Sequence, residues 1–163
     1  MGAFNAATPD GVRRELLACC ASTRWADALA AGRPYPDLAA LCAASNAVLA
    51  GLDWPDVEHA LAAHPRIGER AAGQGREARW SRGEQAAAAS TDAAVQAELA
   101  DGNAEYERRF GQVFLICATG LPAETILAAL RARLAHDEPT EHRVVREELG
   151  KIIRLRLTKL VAE

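Results

Sequence analysis

Val113-Phe114-Leu115-Ile116-Cys117, set between Gly111 and Gly120, is the stretch on which the fold class turns. Five apolar residues in a row fit a buried strand as well as a buried helical segment, and periodicity does not separate the two. A strand also needs a neighbour to bond its backbone N–H and C=O groups. No second run of that kind exists in the sequence. The stretch is therefore helical or irregular, and the fold class is all-α: a single compact multi-helix domain over residues 1–163, with a polar active-site loop between helices.

Outward from this stretch the apolar residues recur at helical spacing. Gly120-Leu121-Pro122 is a stop followed by a start, and Ala123 to Leu134 is amphipathic through Ile126, Leu127, Leu130 and Leu134. Pro139-Thr140-Glu141 opens a last helix to about Val161, with Thr140 as its cap and Val145, Leu149, Ile152, Ile153 and Leu157 among its apolar positions. Upstream, the Ala-rich run from Glu84 to Ala100 predicts a helix. Asp101-Gly102 is either a break or a weak spot in a helix that continues through Tyr106 and Phe110. Nearer the start, Thr8-Pro9-Asp10 is a cap, a first-turn proline and an acid at the positive end of a helix dipole. A short helix carries Trp25, Ala28 and Leu29 and ends near Gly32, and Arg33-Pro34-Tyr35-Pro36 is a rigid connector. Asp37 to Leu49, closed by Gly51, is the next helix; Asp53-Trp54-Pro55 opens another, which Pro65 ends.

Composition sets the outer bounds. At 163 residues the chain can bury a core without disulfide or metal staples. Alanine supplies much of the 50% hydrophobic content and aromatics only 5%, which favours helices packed closely through small side chains. A net charge of -3 argues against nucleic acid and acidic membranes as partners. Cys19, Cys20, Cys42 and Cys117 lie in apolar stretches without metal-clip spacing, as small buried hydrophobes in a reducing compartment do. There is no basic-then-apolar leader at the start and no run near the ~18 apolar residues of a membrane span, so a cytoplasmic location is expected.

Between the predicted helices lies His64-Pro65-Arg66-Ile67-Gly68-Glu69, followed by a polar loop from Arg70 to Trp80 and then Ser81-Arg82-Gly83-Glu84-Gln85. His64 is either an acid/base group held on a fixed backbone or a cation at a helix C-terminus. Ser81-x-x-Glu84 matches a capping box, while Gln85 beside it adds a third polar group able to read an amide or ureide edge. Arg66, Arg70, Arg76, Arg79 and Arg82 suit an anionic small molecule or a solvated loop equally well. Arg154 and Arg156 are surface residues by default, yet their apolar neighbours place one of them near the core, where it wants a carboxylate. His136-Asp137-Glu138 with Glu141-His142 can be drawn as a metal cluster, but a helix start explains the same residues more simply.

Taken together, these motifs resemble the 2-oxo-4-hydroxy-4-carboxy-5-ureidoimidazoline decarboxylase family of urate breakdown. The resemblance runs from Phe4-Asn5 and Arg33-Pro34-Tyr35 through His64-Pro65, Gly68-Glu69, Ser81-x-x-Glu84-Gln85 and Phe110-Gly111. It continues in Phe114-Leu115-Ile116-Cys117-Ala118-Thr119-Gly120 and closes in Lys151-Ile152-Ile153-Arg154-Leu155-Arg156-Leu157. It implies an all-helical enzyme, usually a homodimer, that needs no cofactor or metal and forms (S)-allantoin and carbon dioxide. By motif position, His64 matches the family's essential histidine, and Glu84 joins it as a catalytic candidate. Pro65, Ser81, Gln85, the backbone around Phe114 and Ile116, and Arg156 match its substrate-binding set. Arg66-Ile67 departs from the family's usual residues and bears on the pocket rim. Two other readings compete: a related helical acid/base enzyme for another ureide, and a non-catalytic dimerisation module whose polar loop binds a partner.

Overall fold

The computed structural model describes residues 1–69, 71–89 and 92–162. Among them are nine α-helices, one 3₁₀ turn and no strand. The 111–119 stretch is irregular, between Gly111 and Gly120, both in the left-handed backbone region. No single described helix is long and apolar enough to cross a membrane.

The chain divides into two compact units, Met1–Ala60 with Gly150–Glu163, and Leu61–Leu149. The first unit holds α1 (Gly2–Ala6), α2 (Pro9–Cys19), α3 (Thr23–Ala31), α4 (Leu38–Gly51), most of α5 (Trp54–Leu61) and the end of α9 (Glu138–Ala162). Four of them, α2 to α5, begin where short polar side chains bond the exposed N–H groups of the first turn. Thr8 accepts from Gly11, Ser22 from Trp25, Asp37 from Ala40 and Asp53 from Asp56. Leu16, Trp25, Leu29 and Leu41 are fully buried, and the Trp25 indole N–H donates to Ser45 Oγ at 3.1 Å. The Arg33-Pro34-Tyr35 connector is tied to α1, a helix that no sequence signal announced. Asn5 donates to the Tyr35 carbonyl and accepts its N–H, at 2.8 and 3.0 Å, and Arg33 donates to the Phe4 and Ala7 carbonyls.

The second unit holds α6 (Arg76–Glu84), the 3₁₀ turn (Ala86–Ala88), α7 (Ala93–Phe110), α8 (Ala123–Arg133) and the first half of α9. Three expectations are corrected here. Ser81 and Glu84 do not open a helix: α6 starts at Arg76 behind Gly75, so both lie inside it, three positions apart on one face. The helix expected from Glu84 begins instead at Ala93, where Asp92 accepts from Ala94 and Val95. In the last helix Asp137 rather than Thr140 is the cap, accepting the Thr140 N–H at 2.9 Å.

Asp101-Gly102 is no break. A Cβ at Gly102 would lie 2.5 Å from Leu130 Cδ2, so this glycine lets α7 and α8 approach closely. Alanine for glycine inside a helix ordinarily adds about 1 kcal/mol. Leu130 is fully buried, and crowding a filled core costs roughly 1–3 kcal/mol. Gly102→Ala is therefore expected to lower the thermal unfolding midpoint. A raised midpoint would mean that Leu130 moves aside freely.

Candidate active site

The polar turn begins where α5 ends. Leu61 is its last helical residue; the His64 N–H then donates to the Leu61 carbonyl at 2.9 Å, and Pro65 cannot continue the helix. His64 and Pro65 are both half-buried. Glu69 N–H closes onto the Arg66 carbonyl at 3.0 Å, and Gly68 takes a φ of +90° that a side chain would strain. Three groups fix this turn from outside. The Arg66 guanidinium forks onto Glu107 at 2.7 and 3.1 Å, Asn103 donates to the Ile67 carbonyl at 3.0 Å, and Gln85 Oε1 accepts the Gly68 N–H at 3.2 Å.

Gln85 therefore joins α6 to the histidine turn. Ser81 and Glu84 are buried at 6% and 7% exposure, a depth at which polar groups have to be bonded. The cationic loop is largely self-occupied: Arg82 donates to the Ala71 and Gly73 carbonyls, and Arg76 lies over the Trp80 ring. Arg70 falls outside the described residues.

A cavity of about 520 Å³ opens against this segment, lined by Gly68, Glu69, Ser81, Arg82, Gln85 and Gln96, with alanines beneath. The site residues Ser81 and Gln85 thus share a wall; His64, Glu84, Phe114 and Ile116 are not among the described lining. One apolar cluster nevertheless joins the parts. Ile67 of the turn, Ala88 of the cavity wall and Phe114 are buried in it, and Ile116 packs against it. Arg156 lies in the other unit. It is buried at 4% exposure and donates to the Ala18 carbonyl at 3.4 Å, whereas Arg154 is exposed. Of the cysteines, Cys19, Cys20 and Cys42 are buried and Cys117 is half-buried, all four with free thiols. Burial pushes the Cys20 thiol up to about 11 despite its Ser22 backbone bond and the Arg156 charge.

One cluster escaped the sequence reading. Glu141, with no exposure, accepts from Arg133 and from the Tyr106 hydroxyl, and its other oxygen meets His136 Nδ1 at 2.9 Å. Burial alone would push the Glu141 carboxyl up, but the bonds from Arg133 and Tyr106 and the guanidinium charge hold it below the ordinary glutamate range. Burial raises the Tyr106 hydroxyl, and its bond to Glu141 raises it further. Arg133 also lies 4.6 Å from the Phe114 ring centre and donates to the Leu115 carbonyl. The one sequence signal for this cluster is that Glu141 falls on the same stripe of α9 as Val145, Leu149 and Ile152, where a charge requires a partner.

Fold and cavity together define an all-helical protein that offers a mixed polar and apolar recess to a small polar molecule. The profile of the OHCU decarboxylase family, in which OHCU is the ureidoimidazoline named above, matches residues 5–158. A 2-oxo-4-hydroxy-4-carboxy-5-ureidoimidazoline decarboxylase of Amia calva is 34% identical over 138 residues, covering 83% of this chain and 79% of that protein. The uric acid degradation bifunctional protein TTL of Arabidopsis thaliana is 32% identical over 152 residues; the match covers 91% of this chain but only 47% of that longer protein. A crystal structure of OHCU decarboxylase in the presence of (S)-allantoin superposes with a TM-score of 0.80 at 28% identity, over 91% of this chain and 98% of that one. An (S)-allantoin synthase structure shares the fold, with a TM-score of 0.74 at 20% identity over 98% of this chain and 53% of that one. The chain belongs to the OHCU decarboxylase family, a family of carbon–carbon lyases.

Proposed function

We infer that this chain decarboxylates 2-oxo-4-hydroxy-4-carboxy-5-ureidoimidazoline to (S)-allantoin and carbon dioxide in urate breakdown, without a cofactor. The observation that carries this reading is the family match over residues 5–158, on a chain whose Ser81 and Gln85 line one cavity. The chemistry is self-sufficient. When the bond from the ring carbon to the carboxylate breaks, its electron pair forms a double bond to the carbon bearing the ureido arm, and the imine pair moves onto the ring nitrogen, which takes a proton from solvent. The hydroxyl on the carbon that lost carbon dioxide gives up its proton and becomes a carbonyl, while the carbon bearing the ureido arm takes a proton. Delivering that proton to one face sets the hand of the product.

In this reading His64 moves the proton. Glu84 and Gln85 fix the ureido arm, Ser81 donates one hydrogen bond, Pro65 and the backbone of Phe114 to Ile116 close the pocket, and Arg156 holds a carbonyl or carboxylate. Preorganised groups of this kind act chiefly by orientation. We also propose a cytoplasmic homodimer. No large hydrophobic side chain is exposed among the described residues, so its interface would be built from small and polar groups, and sedimentation would measure it.

Circular dichroism during urate breakdown tests the reaction. Urate oxidase and hydroxyisourate hydrolase generate the unstable substrate in the cuvette. With this protein the (S)-allantoin signal is expected to rise fast; a slow racemic signal unaffected by the protein counts against the assignment.

A further inference from the structure

The irregular strip 111–119 has no neighbouring strand, yet two of its peptide groups are bonded by charged side chains. Arg133 of α8 donates to the Leu115 carbonyl, and Glu148 of α9 accepts the Cys117 N–H at 2.8 Å. Both side chains are anchored on helices, and Arg133 is itself held by Glu141. Glu141 and Glu148 are seven residues apart, two turns along one face of α9, so a single helix face governs both ends of the clamp. Between the two bonded groups lies half-buried Ile116. No hydrogen bond among the described residues uses its N–H or C=O.

We propose that Glu148 and Arg133 are positioning residues of the decarboxylase, each clamping one peptide group beside Ile116 so that the main chain there is presented to the substrate as a fixed donor–acceptor edge. The proposal rests on the reading of this strip as substrate-contacting. An irregular backbone without a ladder would otherwise sample many conformations, a freedom that has to be frozen on binding. A charge-assisted bond on either side removes that freedom in advance. Because the edge meets the substrate before and during the reaction alike, its loss falls more on KM than on kcat.

Glu148 is the residue to change, since Arg133 is tied into the buried cluster and its loss threatens the fold. Glu148→Ala is expected to raise KM by roughly tenfold to a hundredfold with a smaller change in kcat, and to speed amide exchange at Cys117. Glu148→Gln keeps an oxygen that accepts the same N–H and is expected to restore KM to within about threefold. A folded Glu148→Ala enzyme with unchanged KM would overturn the proposal, and so would a Glu148→Gln enzyme as impaired as the alanine variant. Amide exchange does not depend on turnover. Absence of turnover in the unaltered enzyme would overturn the functional reading, whereas unchanged exchange at Cys117 in Glu148→Ala would overturn the clamp.

Discussion

With His64 replaced by alanine, the folded enzyme is expected to lose stereoselective turnover, its kcat falling by roughly 10²–10⁴-fold, the usual contribution of a positioned acid or base. The expectation rests on where the residue stands. It follows the end of α5, its backbone is fixed by the bond to Leu61, and the turn after it is held by Gln85, Asn103 and the Arg66–Glu107 pair. An imidazole on such a mount can take up and release a proton without changing position. His64→Asn is the sharper control: an amide keeps size and hydrogen bonds but cannot carry a proton across the pH range of the reaction. Both variants are expected to leave only the slow conversion without handedness, followed by circular dichroism beside an unfolding curve. Full activity in either folded variant removes His64 from the mechanism.

Glu141→Gln is the change with the largest expected effect on stability, roughly 3–5 kcal/mol, because it leaves the Arg133 charge buried without its carboxylate. For a chain of this size that lowers the unfolding midpoint by roughly 6–20 °C. Exchanging Arg133 and Glu141 together for apolar residues is expected to cost less than the single change, since no isolated charge then remains. The pH dependence gives a second check. A glutamate whose folded value is lowered contributes in full above its unfolded value of about 4.3, and that contribution is lost as pH falls through the folded value. Denaturant midpoints of the unaltered protein therefore drop in acid, and Glu141→Gln removes this part of the drop. A variant with the same midpoint and the same acid profile would show that the cluster contributes nothing to stability.

Several helix starts and stops were legible from one local residue: Thr8 as a cap, Asp37 and Asp53 where helices open, Gly32 at an end, Pro65 after α5. Three starts were misplaced, two of them around Ser81-x-x-Glu84 and the alanines after it, the third at the last helix, where Asp137 rather than Thr140 is the cap. Ser81-x-x-Glu84 is a capping box at a helix start and a same-face pair in a helix interior, and here it is the second. The second half of the expected polar loop, from Arg76 on, is the first part of α6. The alanines after Glu84 have high helix propensity, but Asp92 is the capping side chain, and the long helix starts behind it. Gly102 read as a weak spot because sequence does not show what lies opposite; what lies there is Leu130. Ser81 and Gln85 were found as site candidates and do share a cavity wall. The Arg133–Glu141–Tyr106 cluster stayed hidden because its members come from three helices and only the fold brings them together. Glu141 in particular also fits the first turn of a helix, where an acid needs no other explanation.

A strip whose peptide groups are held by distant side chains also changes what can be learned by comparing chains. If the main chain at Ile116 does the reading, the side chains there can vary as long as they fill the apolar cluster, without altering the edge that is presented. The letters that govern that edge are then Arg133 and Glu148, 18 and 31 residues away from the groups they bond. A substitution at Ile116 to another apolar residue should count as silent for recognition, and loss of the acceptor at Glu148 as a loss of substrate affinity, although Glu148 itself need never touch the molecule being recognised.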